Sequence, residues 1–225
     1  MVSRGSKTSS HGSDKSEGSA SHRGGRRERR KSRKSAPLDE TALRDLALAY
    51  VARFATTAAK VEGYLARKIR ERGVAEDADG RVGELDVTGL VTRLVELGYI
   101  DDEAYARGRS HDLTQQGYGK RRVEQALWAA GIEETTRAEN APDEAAGRRA
   151  AMRLAKKRGF GPFARGPKGG EHSPEAAHKL REKQVAAMLR AGHLYDHIRF
   201  ILEAADADAV EEWVIEAEED ARDEY

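Results

Sequence analysis

The sequence contains no cysteine among its 225 residues, and only 6 % of them are aromatic. The absence of cysteine excludes a disulfide framework, a thiolate metal site and a catalytic thiol, and it fits a reducing compartment. No apolar run approaches the roughly 18 residues that a membrane-spanning helix needs, and the polar start of the chain lacks a signal-peptide pattern. We therefore expect a cytoplasmic protein that does not contact a membrane.

Material for a large hydrophobic core is also scarce, because 35 % of the residues are charged and few runs of β-branched residues occur. Proline is rare too, and all five prolines fall between segments of 3.6-residue hydrophobic periodicity, where they mark joints between helices. These prolines are Pro37, Pro142, Pro162, Pro167 and Pro174. The pattern favours small stacked helical units and hence an all-α fold.

Charge is distributed unevenly along the chain, although the formal net charge is only +1. Residues 1–36 have almost no apolar side chains, a composition typical of disorder, and hold 11 Lys or Arg against 3 Asp or Glu. Residues 203–225 hold 11 acidic residues against one arginine. This polarity indicates contact with a polyanion, or with a partner bound to one, but solvated flexible ends would give the same pattern.

Three glycines end helical segments at a nearly constant interval, first 58 and then 61 residues: Gly73, Gly131 and Gly192. Superposing the segments on these glycines aligns Leu127 with Met188, so that apolar positions coincide as well. Chance spacing of a common residue is the alternative. We interpret the interval as three divergent repeats, each a trio of helices.

The predicted architecture is all-α, with three tandem three-helix repeats that form a curved elongated array behind a disordered N-terminal tail. Val210, Trp213 and Val214 give the acidic C-terminal segment an apolar face, which predicts a docked helix. The boundaries are 1–37 for the basic tail, 38–98, 99–140 and 141–205 for the three repeats, and 206–225 for the acidic helix.

Three segments carry a resemblance to a known family. LGYIDDEAYA from Leu97 and QGYGKRRVEQALWAAGI from Gln116 resemble the middle repeat of the RecX family of bacterial RecA regulators, and REKQVAAMLRAGH from Arg181 resembles its last repeat. The resemblance spans residues 40–205 and implies a curved array of three-helix repeats with no catalytic activity and no cofactor. It also implies binding in the groove of the RecA–DNA filament, with inhibition of strand exchange and ATP hydrolysis and hence regulation of DNA repair and recombination.

This sequence departs from the family pattern in two informative places. Lys120 stands where the family often has proline, which adds a third positive charge at that helix start. The long basic N-terminal segment lies outside the pattern, so the resemblance implies nothing about its role. As partners we expect the RecA filament and DNA, contacted directly or through RecA, and we expect a monomer.

The strongest candidate binding feature is the run Lys120, Arg121 and Arg122 in the first turn of a predicted helix. Cations are disfavoured there by the helix dipole, so we interpret the run, with the free backbone N–H groups, as a site for phosphate or an acidic surface. A solvated helix face is the alternative. If the repeats stack, five further cations would extend it into a basic stripe: Arg67, Lys68, Arg70, Arg107 and Arg109. Of the last two, at most one should join that face, because they are two residues apart.

Other features favour structure over chemistry. Tyr99, Tyr105 and Tyr118 could stack on bases, but tyrosines near helix ends more often pack on an adjoining helix. His193 and His197 have metal-ligand spacing without an evident third ligand, which favours a solvated pair.

The glycine-rich segment GFGPFARGPKGG follows a helix and lacks the GK[ST] ending of a phosphate loop. We therefore predict no catalytic, metal-binding or cofactor-binding residues and a non-enzymatic protein. The alternative function is a general nucleic-acid-binding protein that acts mainly through its basic N-terminal tail.

Overall fold

The computed structural model describes residues 36–76, 79–164 and 173–223. Residues 1–35 of the predicted tail and residues 165–172 of the glycine-rich segment lie outside the described residues. Within the described ranges the fold is all-helical, as the sequence predicts. The β-bridges there are two isolated ones, between Leu38 and Val74 and between Glu76 and Val82.

The described ranges contain ten α-helices and one short 3-10 turn. They are α1 Glu40–Val51, α2 Ala58–Arg72, α3 Val87–Glu96, α4 Asp102–Gln115, α5 Lys120–Trp128, α6 Glu134–Glu139, α7 Glu144–Arg158, the 3-10 turn Gly161–Phe163, α8 Pro174–Arg190, α9 Tyr195–Glu203 and α10 Ala207–Asp223. Helices α1, α3, α4 and α7 begin at aspartates whose carboxylates accept the N–H three residues on. These caps satisfy donors that the first helical turn leaves unpaired.

Helices α1–α3, α4–α6 and α7–α9 form three triplets, each around a small cluster of buried apolar side chains. The clusters include Leu43, Val61, Leu65 and Leu94 in the first triplet, Ala106, Leu113, Val123 and Leu127 in the second, and Ala151, Met188, Ile198 and Ile201 in the third. Gly73, Gly131 and Gly192 all have positive φ, between 77° and 88°. Glycine adopts this conformation without strain, so the regular glycine interval reflects a repeated way of ending the middle helix of each triplet.

The middle helices of the first two triplets meet end to end. Thr57, the N-cap of α2, is fully buried and donates its hydroxyl to the Ala130 carbonyl just beyond α5, at 2.6 Å. Beside it, Asp102 from α4 accepts the N–H of Ala58 at 2.9 Å. The N-terminus of α2 therefore faces the C-terminus of α5, an arrangement in which the two helix dipoles attract.

The acidic α10 docks on α7, as its apolar face predicts. Val210, Trp213 and Val214 are buried and belong to the same core cluster as α7, α8 and α9. Two ion pairs flank this contact, Glu218 with Arg149 and Glu211 with Lys156. The helix is thus part of the third triplet's core, and two of its acidic side chains pair with α7.

Candidate partner-binding surface

The basic run 120–122 is positioned by the end of α8. The N–H of Gly119, the N-cap of α5, donates to the Ala191 carbonyl at 2.9 Å, and the N–H of Arg121 donates to the Gly192 carbonyl at 3.1 Å. The two backbones approach so closely that a Cβ added at either glycine would overlap backbone atoms of the other segment. Glycine at both positions therefore fixes the direction in which α5 leaves the junction.

Several backbone N–H groups at this helix start already have acceptors. The Gly192 carbonyl takes the Arg121 N–H, while the N–H groups of Arg122 and Val123 both point to the Gly119 carbonyl. These three donors are therefore less available to an anion than the sequence indicates, and the anion site stays a prediction that depends mainly on the side chains. The carbonyl end of α8 carries partial negative charge, which explains how the fold tolerates cations there.

The side chains of the run remain available to a partner, because all three are exposed. Arg122 donates to Gln125 Oε1 at 2.7 Å, and its guanidinium lies 6.0 Å from the ring centre of Tyr118. Neither Lys120 nor Arg121 forms an ion pair with any side chain in the part of the chain that the structure describes. Their charges are therefore not compensated by a direct carboxylate contact there.

Sequence reasoning missed one residue of this surface, Trp128. Its side chain is 68 % exposed, more than any other large apolar side chain in the described ranges. It lies seven residues after Arg121 and so on the same face of α5. A signal was present, because Trp128 follows Leu127 directly and falls outside the buried stripe of Val123 and Leu127. We call Lys120, Arg121, Arg122 and Trp128 the α5 surface.

The predicted cations of α2 are more strongly compensated. Arg67 and Lys68 both contact Glu71, at 3.9 and 2.6 Å, and the hydrogen bond from Lys68 lowers the pKa of that carboxyl. Arg70 has no ion pair within the described ranges. Since α2 meets α5 through its first turn, about 12 Å of α5 and about 14 Å of α2 separate this group from residues 120–122. The structure does not bring the two groups together.

The two candidates on α4 lie in different surroundings. Arg107 pairs with Glu103 at 3.4 Å and lines a cleft between α4 and α7, together with Arg149 and Arg153. Arg109 is exposed, has no ion pair with a described residue and does not line that cleft. Neither of them lies on α5, so the continuous basic stripe stays a prediction.

The histidines are not a solvated pair, contrary to the sequence-based interpretation. His193 is 1 % exposed and its Nε2 donates to the Gly117 carbonyl at 3.0 Å; burial lowers its pKa to about 4. His197 is 5 % exposed and its Nε2 lies 3.1 Å from Glu144 Oε1. Partial burial raises the pKa of Glu144, but hydrogen bonds from Arg148 and His197 outweigh it, and the pKa is lowered overall. Both imidazoles therefore join α9 and its preceding loop to neighbouring segments.

The three tyrosines differ in solvent exposure. Tyr118 is partly buried under Arg122, and Tyr105 is partly buried with its hydroxyl accepting from Lys60, so packing is confirmed for both. Tyr99 is 58 % exposed, and the prediction that it packs is wrong.

Comparison with known proteins finds sequence similarity to RecX proteins. Residues 101–139, which contain α4–α6, match the model of the RecX second three-helix domain. Regulatory protein RecX from Myxococcus xanthus (strain DK1622) is 28 % identical over 174 residues, which cover 76 % of this chain and 89 % of that protein. Both sequence matches are to RecX, so this chain is similar to the RecX family over the residues matched. A crystal structure of RecX from Lactobacillus salivarius aligns with a TM-score of 0.48 and 18 % identity, over 72 % of this chain and 94 % of that one.

The α5 surface falls inside the matched RecX domain, since residues 120–122 and Trp128 all lie within 101–139. Within the described ranges, no helix is long and apolar enough to cross a membrane. Nor do the described histidine, aspartate and glutamate side chains form a group of three or more that could hold a metal ion. Within residues 101–139, the exposed side chains include the three cations of the run 120–122 and the ring of Trp128.

Proposed function

We propose that this protein is a member of the RecX family and a non-enzymatic regulator that binds the RecA–DNA filament, through the α5 surface, and inhibits its recombinase and ATPase activities. The similarity to Regulatory protein RecX supports the regulatory role. The observation that carries the contact is the exposed face of α5, where Trp128 accompanies cations that lack an ion pair with a described residue.

The chemistry of this face suits a nucleoprotein filament. Lys120 and Arg121 can pair with phosphates or with acidic side chains, both of which such a filament presents. Tryptophan and arginine dominate the energetics of many protein interfaces, because they bury large areas while keeping a polar group for hydrogen bonding. Since the junction with α8 holds the start of α5, little ordering is needed when the partner binds.

The first experiment titrates the purified protein into RecA assembled on single-stranded DNA and follows ATP hydrolysis and strand exchange. We expect both rates to fall at or below equimolar amounts. The triple variant K120A/R121A/R122A should retain its helical circular dichroism and inhibit less, because its backbone contacts with α8 are unchanged. The triple variant K157A/K179A/K183A is a matched control that removes the same charge from exposed positions on α7 and α8.

A second variant tests the aromatic part of the surface. W128A should weaken inhibition about tenfold or more, the loss expected when a central interface residue is truncated. Y195A is its control, because Tyr195 is also largely exposed, at 60 %, but lies in the third triplet. Unchanged RecA rates across the wild-type titration would refute the function, whereas full inhibition by both α5 variants would refute only the assigned contact.

The alternative, a general nucleic-acid-binding protein, is favoured by the surplus of eight positive charges in residues 1–36. Deleting these residues separates the two functions. Loss of RecA regulation on deletion would support the tail as the main element. Loss of salt-sensitive DNA affinity alone would support a filament regulator with an auxiliary electrostatic anchor.

A further inference from the structure

A cleft of about 260 Å³ between α4 and α7 has basic walls. Arg107 and His111 line it from α4, and Arg149 and Arg153 line it from α7. Each pair is spaced four residues apart on its helix, so both members project from the same face. None of the α5 surface residues lines this cleft, which makes it a second and separate concentration of positive groups.

The two α7 arginines that line the cleft, Arg149 and Arg153, have different hydrogen-bond partners. Arg153 donates to the Thr114 and Gln115 carbonyls at the end of α4, at 3.3 and 3.1 Å, and this orients its guanidinium across the cleft. Arg149 Nε lies 2.8 Å from Glu218 Oε1 of α10, yet this buried Nε has no aligned hydrogen-bond acceptor. The pair with Glu218 therefore supplies charge without satisfying the donor, and a better placed acceptor would bind more strongly.

Negative groups near the cleft are few and partly occupied. Asp143 lines the cleft, but its Oδ1 accepts the Ala146 N–H at 2.7 Å as the N-cap of α7. Glu103 pairs with Arg107 from the exposed side of α4 at 3.4 Å, where both side chains are about two-thirds exposed. Water screens such a pair, so Arg107 can exchange its partner at small cost.

We infer that this cleft binds a phosphate group, and that Glu218 is an internal competitor that neutralises Arg149 until the phosphate displaces it. Guanidinium groups match phosphate oxygens with paired donors, and facing arginines on two helices can hold one phosphate from both sides. The phosphate can belong to a nucleic-acid backbone or to a free di- or triphosphate, since both present the same oxygens. The inference does not depend on RecA and goes beyond the proposed function.

The structure offers a matched pair of variants for each half of the inference. E218Q removes the competing charge, while E211Q removes the same charge from a pair with Lys156, which does not line the cleft. R107A removes a cation of the cleft, while R109A removes an exposed cation from the same helix outside it. All four proteins retain the basic N-terminal segment, so its contribution to binding cancels in each comparison.

Binding of the full-length proteins is measured with two probes, a fluorescent single-stranded oligodeoxythymidine by anisotropy and inorganic pyrophosphate by calorimetry. We expect E218Q to bind about three- to tenfold more tightly than E211Q, and R107A to bind weaker than R109A by a similar factor. For the oligonucleotide, R107A should also lower the salt dependence by about one phosphate contact relative to R109A.

The two probes identify the source of the phosphate. Effects on the oligonucleotide alone would assign the cleft to a nucleic-acid backbone, and effects on pyrophosphate alone would assign it to free phosphate compounds. Equal affinities within both matched pairs, for both probes, would overturn the inference. Deleting α10 is not a suitable test, because Val210 and Trp213 belong to the core of the third triplet.

Discussion

His193 should make the protein sensitive to mild acid. Its ring is 1 % exposed, its Nε2 donates to the Gly117 carbonyl, and its Nδ1 has no hydrogen-bond partner. Burial, opposed by the Gly117 carbonyl and assisted by the nearby His197, lowers its pKa from the ordinary 6.5 to about 4. The folded protein therefore binds this proton less readily than the unfolded chain.

The sign and size of the effect follow from that difference. Because the folded pKa is depressed, stability is fully present above about pH 6.5 and is lost as the pH falls toward 4. Each pKa unit corresponds to 1.36 kcal/mol, so this residue should cost about 2 kcal/mol at pH 5 and about 3 kcal/mol at pH 4. Such a loss is a large part of the stability of an ordinary domain.

The assay is urea unfolding followed by circular dichroism between pH 7 and pH 4, for the wild type and for H193Q. A glutamine amide can still donate to the Gly117 carbonyl but does not titrate in this range. The lowered pKa of Glu144 also contributes to acid sensitivity, but equally in both proteins. H178Q is the control, because His178 is 74 % exposed and its removal should leave the acid sensitivity close to that of the wild type. Equal losses of unfolding free energy in wild type and H193Q would refute the reasoning.

Two further predictions concern the junctions between triplets. G119A should destabilise the protein by about 1 to 3 kcal/mol in thermal or urea unfolding, because its Cβ would overlap the Gly192 backbone. The control G63A, where nothing lies within 4 Å of the added Cβ, should be neutral or slightly stabilising. Equal stabilities of the two variants would contradict the close contact between Gly119 and Gly192. T57V should lower the free energy of unfolding by about 1 to 3 kcal/mol, because it leaves the buried Ala130 carbonyl and the Lys60 N–H without their hydroxyl partner. The control T57S keeps the hydroxyl and should keep most of the stability. A T57V protein as stable as T57S would show that the hydrogen bonds of this hydroxyl do not stabilise the junction.

Much of the local structure could be predicted because it depends on neighbours within one or two helical turns. Ser173 followed by Pro174 is a typical sequence pattern of a helix start, and in the structure the Ser173 hydroxyl accepts the Ala176 N–H. Gly131 and Gly192 end helices in a conformation that other residues avoid, and this made the repeats visible without any knowledge of their contacts.

The candidate site was only partly predictable. The run 120–122 could be found because three consecutive cations at a helix start are unusual. Trp128 was missed because an aromatic residue in an amphipathic helix is most often buried. The sequence could not show that the Arg121 N–H donates to the carbonyl of Gly192, which lies 71 residues further along the chain.

The sequence by itself determined that the described chain is helical and that its helices recur as triplets, because these properties follow from local hydrogen bonding and a 3.6-residue period. Only the tertiary structure decided which polar side chains are buried and which are accessible to solvent. His193 is buried because a carbonyl 76 residues away, at Gly117, lies against it, and Arg149 faces a cleft because α4 packs beside α7. Burial, and ion pairs such as that of Arg149 with Glu218, depend on segments that are distant in sequence, and no periodicity within one helix encodes them.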